Sequence, residues 1–289
     1  MGAPALEPTV AILAGSGELP LRLSDRLTAG GRAHRILAFR GFADRALRAR
    51  ADAVVGLLDV RAALACLDAW RPAAVTLAGG LRRPSAAAAI DAFAALRNRG
   101  ALADLLARGD DHLLRGVAEL IEERGIALVG LRELAPELLA APGPHGRHRP
   151  GEGACAAIAT GLRLLADLSP FDVGQGVVVA GERVLAIEGP EGTDRMLARA
   201  RSLGPGGGWP WRRRPRSGVL VKAPKRGQDL RIDLPAIGPR TVVRAAAAGL
   251  EGVAVANGLT VVVDPAATVA TANRLGLFVV GVQPRATDV

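Results

Sequence analysis

The sequence predicts an α/β protein in two parts: a Rossmann-like N-terminal domain with a doubly wound, mostly parallel sheet, and a second, mixed α/β domain. Two observations carry this. Short apolar runs alternate with helical periodicity through the first half, as in βαβ units. The stretch PGPHGRHRPGEG at 142–153 then breaks every periodicity with three prolines and four glycines, which reads as a domain linker. The expected division is a first domain over 1–143, a linker over 144–153 and a catalytic α/β domain over 154–289.

The elements follow in order. Thr9–Ala14 is an apolar strand, Gly15-Ser16-Gly17 a turn, and Leu19 to Leu27 a helix closed by Gly30-Gly31. Strands at 35–39 and 53–57, a helix at 60–70 and a strand at 73–77 ending on Gly79-Gly80 come next. Alanine-rich helical stretches run to about Leu106, followed by a helix at 111–124, capped by Asp110, and a short strand at 127–129. Beyond the linker, a helix at 154–167 precedes a hairpin of 177–179 with 184–187, and Thr193 or Asp194 caps a helix reaching Leu203. GPGGGWPWRRRPR at 204–216 is low in regular structure. Helix, strand, strand, helix and strand at 240–250, 253–255, 259–263, 265–275 and 277–282 complete the chain.

At 289 residues there is room for two cores. No apolar run reaches the roughly 18–20 residues of a membrane-spanning helix, and the first eight residues lack the pattern of a signal peptide, so a cytoplasmic protein is expected. The two cysteines, Cys66 and Cys155, have no zinc or disulfide spacing. The formal charge of +9 is almost all arginine, and it suits anionic partners such as phosphate-bearing metabolites or lipid. With 3% aromatic residues and no tyrosine, a base-stacking surface is not expected, and nucleic acid is excluded as a partner.

The richest chemical signal is VLVKAPKRGQDLRIDLPAIGPRT at 219–241, where both lysines of the chain, Lys222 and Lys225, sit among arginines, aspartates, glycines and prolines. Lysines are point charges suited to phosphate oxygens. In QDLRIDLP polar and apolar residues alternate, so a strand is expected with Asp229, Arg231 and Asp233 on one face. Cα atoms of Asp229 and Asp233 would then lie roughly 13 Å apart, at about 3.3 Å per residue, so one cation would need a further carboxylate. EGPEGTD at 188–194 supplies Glu188, Glu191 and Asp194 in a glycine-rich loop at a strand end. A solvated face for Asp229 and a cap for Asp194 are the plainer alternatives. The Gly15–Gly17 turn lacks the third glycine and the acidic partner of a dinucleotide site, so NAD is not expected. No GxSxG, HExxH or Walker A pattern is present.

Seven motifs in order, AILAGSGELP, LAGGLRRP, GDDHLLR, DVGQGVVV, VLAIEGPEGTDRML, the 219–241 stretch and GLFVVGV, resemble the LpxI family over residues 10–282. The resemblance implies a two-domain enzyme of Gram-negative bacteria that uses Mg²⁺ to split the pyrophosphate of UDP-2,3-diacylglucosamine into UMP and 2,3-diacylglucosamine 1-phosphate, in lipid A biosynthesis. An essential aspartate of that family falls on Asp233 or, second, on Asp229. Lys222, Lys225 and Arg231 join them as catalytic candidates, and Asp233, Asp229, Glu188 and Asp194 form the expected Mg²⁺ set. The expected substrate-binding residues are Gly15, Ser16, Gly17, Gly79, Gly80, Asp172, Gln175, Glu191, Gly192, Thr193, Gln228 and Thr241. A diacyl substrate further implies transient contact with the inner-membrane surface, where Trp209, Trp211 and Arg212–Arg216 could rest, and a homodimer is compatible. Two other classes stay open on residues alone: a nucleotide-sugar oxidoreductase or transferase, and a non-catalytic nucleotide or anionic-lipid sensor.

Overall fold

A computed structural model describes residues 9–57, 59–81, 110–171, 173–203 and 216–284, with backbone only for 110–115. The alanine-rich stretch, Asp172 and the segment 204–215 therefore lie outside the described residues. The chain divides into two compact units, Met1–Ala135 with Arg231–Asp233, and Pro136–Leu230 with Leu234–Val289.

In the first unit, strands β1 (Val10–Ala14), β2 (His34–Arg40), β3 (Ala53–Gly56), β4 (Ala74–Ala78) and β5 (Ala127–Leu128) form one sheet in the order β3-β2-β1-β4-β5. Every pairing is parallel. This is the doubly wound order, whose direction of growth reverses between β1 and β4. Helices α1 (Leu19–Ala29), α2 (Arg45–Arg50), α3 (Val60–Trp70), α4 (Asp110–Glu122) and α5 (Leu131–Leu134) accompany it. The sequence reading passed over α2, because arginines dominate it and it buries only Leu47. Its one local signal is Asp44, whose carboxylate accepts the Leu47 N–H at 2.8 Å. Asp59 caps α3 in the same way. Asp110, expected as a cap, is the first residue of α4. Leu13, Leu37, Phe39, Val55, Leu67, Val75 and Ile121 build the core, and Ile232 packs against it.

The second unit holds a six-stranded mixed sheet, in the order β6 (Gly143–Pro144), β13 (Phe278–Val282), β11 (Gly252–Ala256), β9 (Val219–Lys222), β7 (Gly176–Ala180) and β8 (Arg183–Ile187). The β13–β11–β9 core is parallel, and β6, β7 and β8 are antiparallel to their neighbours. Its strands read as unbroken apolar runs because both faces are covered. Val177, Val179, Val219, Val221, Ala254 and Val280 point to one face, under α6 (Glu152–Leu168). Val178, Leu220, Val253, Val255 and Val279 point to the other, under α7 (Thr193–Leu203), α8 (Pro239–Ala247) and α9 (Pro265–Leu275). Gly161 lets α6 approach β9: a Cβ there would stand 2.6 Å from a Val221 methyl.

Together with the 3-10 turn after it, α6 forms a 20-residue segment, Glu152–Phe171, long and apolar enough to cross a membrane by length and composition only. Its apolar residues nevertheless fall at helical spacing, Ala154, Ala157, Ile158, Gly161, Leu162 and Leu165, and are buried in this core. That is the pattern of a core helix.

Three expectations are corrected. QDLRIDLP is not a strand: turns occupy Arg226–Gly227 and Leu230–Ile232, and Ile232 leaves the second unit to join the first core. The 259–263 strand is reduced to β12 (Val261–Val262), which pairs in parallel with β10 (Ala236–Ile237) in a separate two-stranded sheet. Residues 144–153 belong to the second unit, where β6 pairs with β13 and the His145 N–H reaches the Val279 carbonyl at 2.9 Å.

Candidate functional site

Strand register brings the site together. Gly176 opposes Lys222 across β7 and β9, and Val177 opposes Ile187 across β7 and β8, so the start of β7 meets the ends of β8 and β9. The stretch Gly174–Gly176 is laced to Glu188 at this edge: the Gly174 N–H donates to the Glu188 carbonyl and the Glu188 N–H to the Gly176 carbonyl, both at 2.8 Å. A Cβ on Gly174 would fall 2.5 Å from Glu188 Cγ, and one on Gly176 2.5 Å from Glu188 Oε2. Only glycine leaves room for this carboxylate.

Lys222 and Glu188 are both buried charged residues, at 5% and 9% exposure. Lys222 Nζ donates to Thr193 Oγ1 at 2.6 Å, and that hydroxyl donates to Glu188 Oε1 at 2.7 Å. Nζ also lies 3.5 Å from Oε2. Although it makes this ion pair, Oε2 is buried with no hydrogen-bond partner of its own. A paired, bridged arrangement is what makes a buried ammonium and carboxylate tolerable away from water. The site is thus a bracket that ties the end of β9, the loop after β8 and the start of α7.

Around it the loop is pinned. Glu191 pairs with Arg199 at 2.7 Å, and the same guanidinium donates to the Ile187 carbonyl at 2.7 Å. Gly192 holds a positive φ of 81° at the turn into α7. Thr193 and Asp194, expected as caps, spend their side chains on the bracket and on an ion pair with Arg240. The Gln175 carbonyl accepts the Ala223 N–H at 3.2 Å, and Gln228 Oε1 accepts the Lys225 N–H at 2.9 Å. Thr241 sits in the first turn of α8, where its hydroxyl accepts the Gly238 N–H. Asp229 is half-buried in the second unit, whereas Arg231 and Asp233 are grouped with the first. There Arg231 pairs with Glu122 at 2.7 Å.

The glycine turns of the first unit lie at the carboxyl ends of β1 and β4 and hydrogen-bond to each other. The Ser16 N–H reaches the Gly80 carbonyl at 2.8 Å and the Gly80 N–H the Ser16 carbonyl at 2.9 Å. Ser16 Oγ donates to Gly80 O as well. A Cβ on Gly15 would stand 2.6 Å from Gly80 O, and one on Gly79, at φ +90°, 2.6 Å from Ser16 O. Close backbone approach therefore accounts for Gly15 and Gly79. Ser16 and Gly17 remain exposed.

Among the described residues, no group of three or more His, Cys, Asp or Glu side chains is gathered to hold a metal ion. Glu188 and Asp194 each have a cationic partner, Lys222 and Arg240. Among the described residues there is thus no cage built wholly of protein carboxylates. A Mg²⁺ held by one or two carboxylates together with substrate phosphates and water is a different requirement. The residues that sequence reasoning missed are Arg199 and Arg240, which anchor the loop, and the glycine cradle at 174 and 176. The DVGQG motif was its visible signal.

Models of known families match both halves of the chain: the LpxI N-terminal domain over residues 9–138 and the LpxI C-terminal domain over residues 141–280. A relative from Caulobacter vibrioides, the UDP-2,3-diacylglucosamine pyrophosphatase LpxI, is 38% identical over 274 residues, covering 95% of this chain and 97% of its own. A solved structure of glycinamide-RNase-transformylase T from Mycobacterium tuberculosis aligns with 61% of this chain and 42% of its own, at 17% identity and a TM-score of 0.21. So weak a superposition carries no argument.

Proposed function

The chain belongs to the LpxI family, and from that premise we propose that it hydrolyses the pyrophosphate of UDP-2,3-diacylglucosamine, releasing UMP and 2,3-diacylglucosamine 1-phosphate for lipid A biosynthesis. The carrying observation is the 38% identity to a pyrophosphatase of that name across 95% of the chain. Lys222 supplies a fixed positive charge at the end of β9, where it compensates phosphate oxygens as the leaving group gains charge. Lys225 adds a second cation along the same segment. Mg²⁺ would supply Lewis-acid neutralisation of the diphosphate, with Asp233 the first candidate to hold it and Asp229 the second. Gln175 and Gln228 are candidates to contact a uridine or sugar hydroxyl.

The acyl chains of such a substrate imply a transient stop at the inner-membrane surface and a cytoplasmic place of work. Binding to liposomes rich in anionic lipid, compared with neutral ones, tests the first of these. For the reaction itself, the purified chain is incubated with UDP-2,3-diacylglucosamine and UMP is followed. UMP release that a chelator stops and Mg²⁺ restores supports the reading. Substrate binding without UMP release overturns it.

A further inference from the structure

Resting on that pyrophosphatase reading, we propose that Glu188 is a positioning residue that acts through Lys222 and Thr193, and not a ligand of the cation. Proton bookkeeping sets the direction of the bracket. An ammonium has only donors, so Lys222 Nζ donates to Thr193 Oγ1; the hydroxyl has a single proton, which then goes to Glu188 Oε1. Glu188 is the terminal acceptor of this chain. Its second oxygen, Oε2, lies 3.5 Å from the same ammonium and holds it by charge alone. Thr193 takes one of the three donors that lysine carries, and the other two are there for a phosphate oxygen.

A cation is poorly served at the same carboxylate. Mg²⁺ keeps several waters and needs near-ideal octahedral space about 2.1 Å from its ligands. The Gly174 and Gly176 backbone is packed so closely on Glu188 that a methyl group would clash, which leaves no such space on that side of the carboxylate. A dication on Oε2 would also stand next to the Lys222 ammonium, and like charges at that range repel strongly in a site shielded from water. The acidic loop after β8 therefore serves the lysine, and the two glycines serve the acid.

Lys222 is one of only two lysines in the chain, so protein carrying lysine labelled with ¹³C at Cε gives two signals, assigned with Lys225→Arg. The Lys222 signal is expected to move in Glu188→Gln and in Thr193→Val and to stay near its original position in Thr193→Ser. In turnover, Glu188→Gln should lower kcat at least tenfold with KM within about threefold and the half-activating Mg²⁺ concentration within about twofold. Added to Lys222→Met, it should cost no more than a further twofold, because both act through one group. A tenfold or greater rise in half-activating Mg²⁺, or full additivity with Lys222→Met, would overturn the assignment in favour of a metal ligand. An unmoved Lys222 signal in all three variants would overturn it outright. If Glu188→Gln does not fold, the Thr193→Val and Thr193→Ser pair decides by the same signal and the same kinetics. Absence of UMP release from the unaltered chain would instead sink the pyrophosphatase reading, while the lysine signal would still decide the role of Glu188.

Discussion

The two units each place a pair of small-residue turns at strand ends, yet the glycines do different work. In the first unit, Gly15 and Gly79 let one backbone press on another, and the turns after β1 and β4 close on themselves through Ser16 and Gly80. In the second, Gly174 presses on the Glu188 stem and its carbonyl, and Gly176 on the Glu188 carboxylate, so here the glycines make room for a charged residue. A glycine turn at a strand end is thus a weak sign of a ligand until it is known what occupies the space its missing Cβ leaves. At β1 and β4 the occupant is peptide. Beside β7 it is the carboxylate that holds Lys222.

Substitutions can break this contrast. The largest effect is expected outside both pairs: Asp233→Ala should lower UMP release about a thousandfold, roughly 4 kcal/mol of transition-state stabilisation, while thermal unfolding shifts little. Gly79→Ala combines an unfavourable positive φ with a clash against the Ser16 carbonyl, and equilibrium unfolding in denaturant should show a loss of about 2–4 kcal/mol. The folded fraction should keep its kcat. Gly176→Ala drives a methyl at Glu188 Oε2 and should reduce kcat by about 10–100-fold at a temperature where the protein is fully folded by circular dichroism. Equal kcat losses in the two glycine variants would erase the distinction between the regions. The smallest change is Thr241→Val, which removes a helix-start hydrogen bond: about 0.5–1 kcal/mol of stability, read by the same denaturation curves, with little change in turnover.

Much of the fold was legible because strands buried on both faces show as unbroken apolar runs and helices show their own period. AILA, VVVA and VLVK are strands in the sequence and in the molecule. What failed did so where tertiary contacts outweighed local pattern. QDLRIDLP alternates like a strand, but its central isoleucine is claimed by the core of the first unit, and the chain must turn to deliver it. The helix α2 is too short and too charged to show a period. Of the candidate site, Lys222 was legible as one of two lysines. Its partner was not, since Glu188 lies in a different loop and only the register of β7 with β8 and β9 makes them neighbours. Thr193 looked like a cap because capping is the ordinary use of threonine there. The bracket is visible only once the three strand ends coincide.

The most direct test is the turnover of Lys222→Met on UDP-2,3-diacylglucosamine with saturating Mg²⁺, measured as UMP released per folded molecule. With the ammonium at the centre of the chemistry, the rate should fall by roughly a hundredfold while the protein remains folded. A folded variant that releases UMP at the original rate would contradict the account and leave the bracket as a structural tie between β9 and α7.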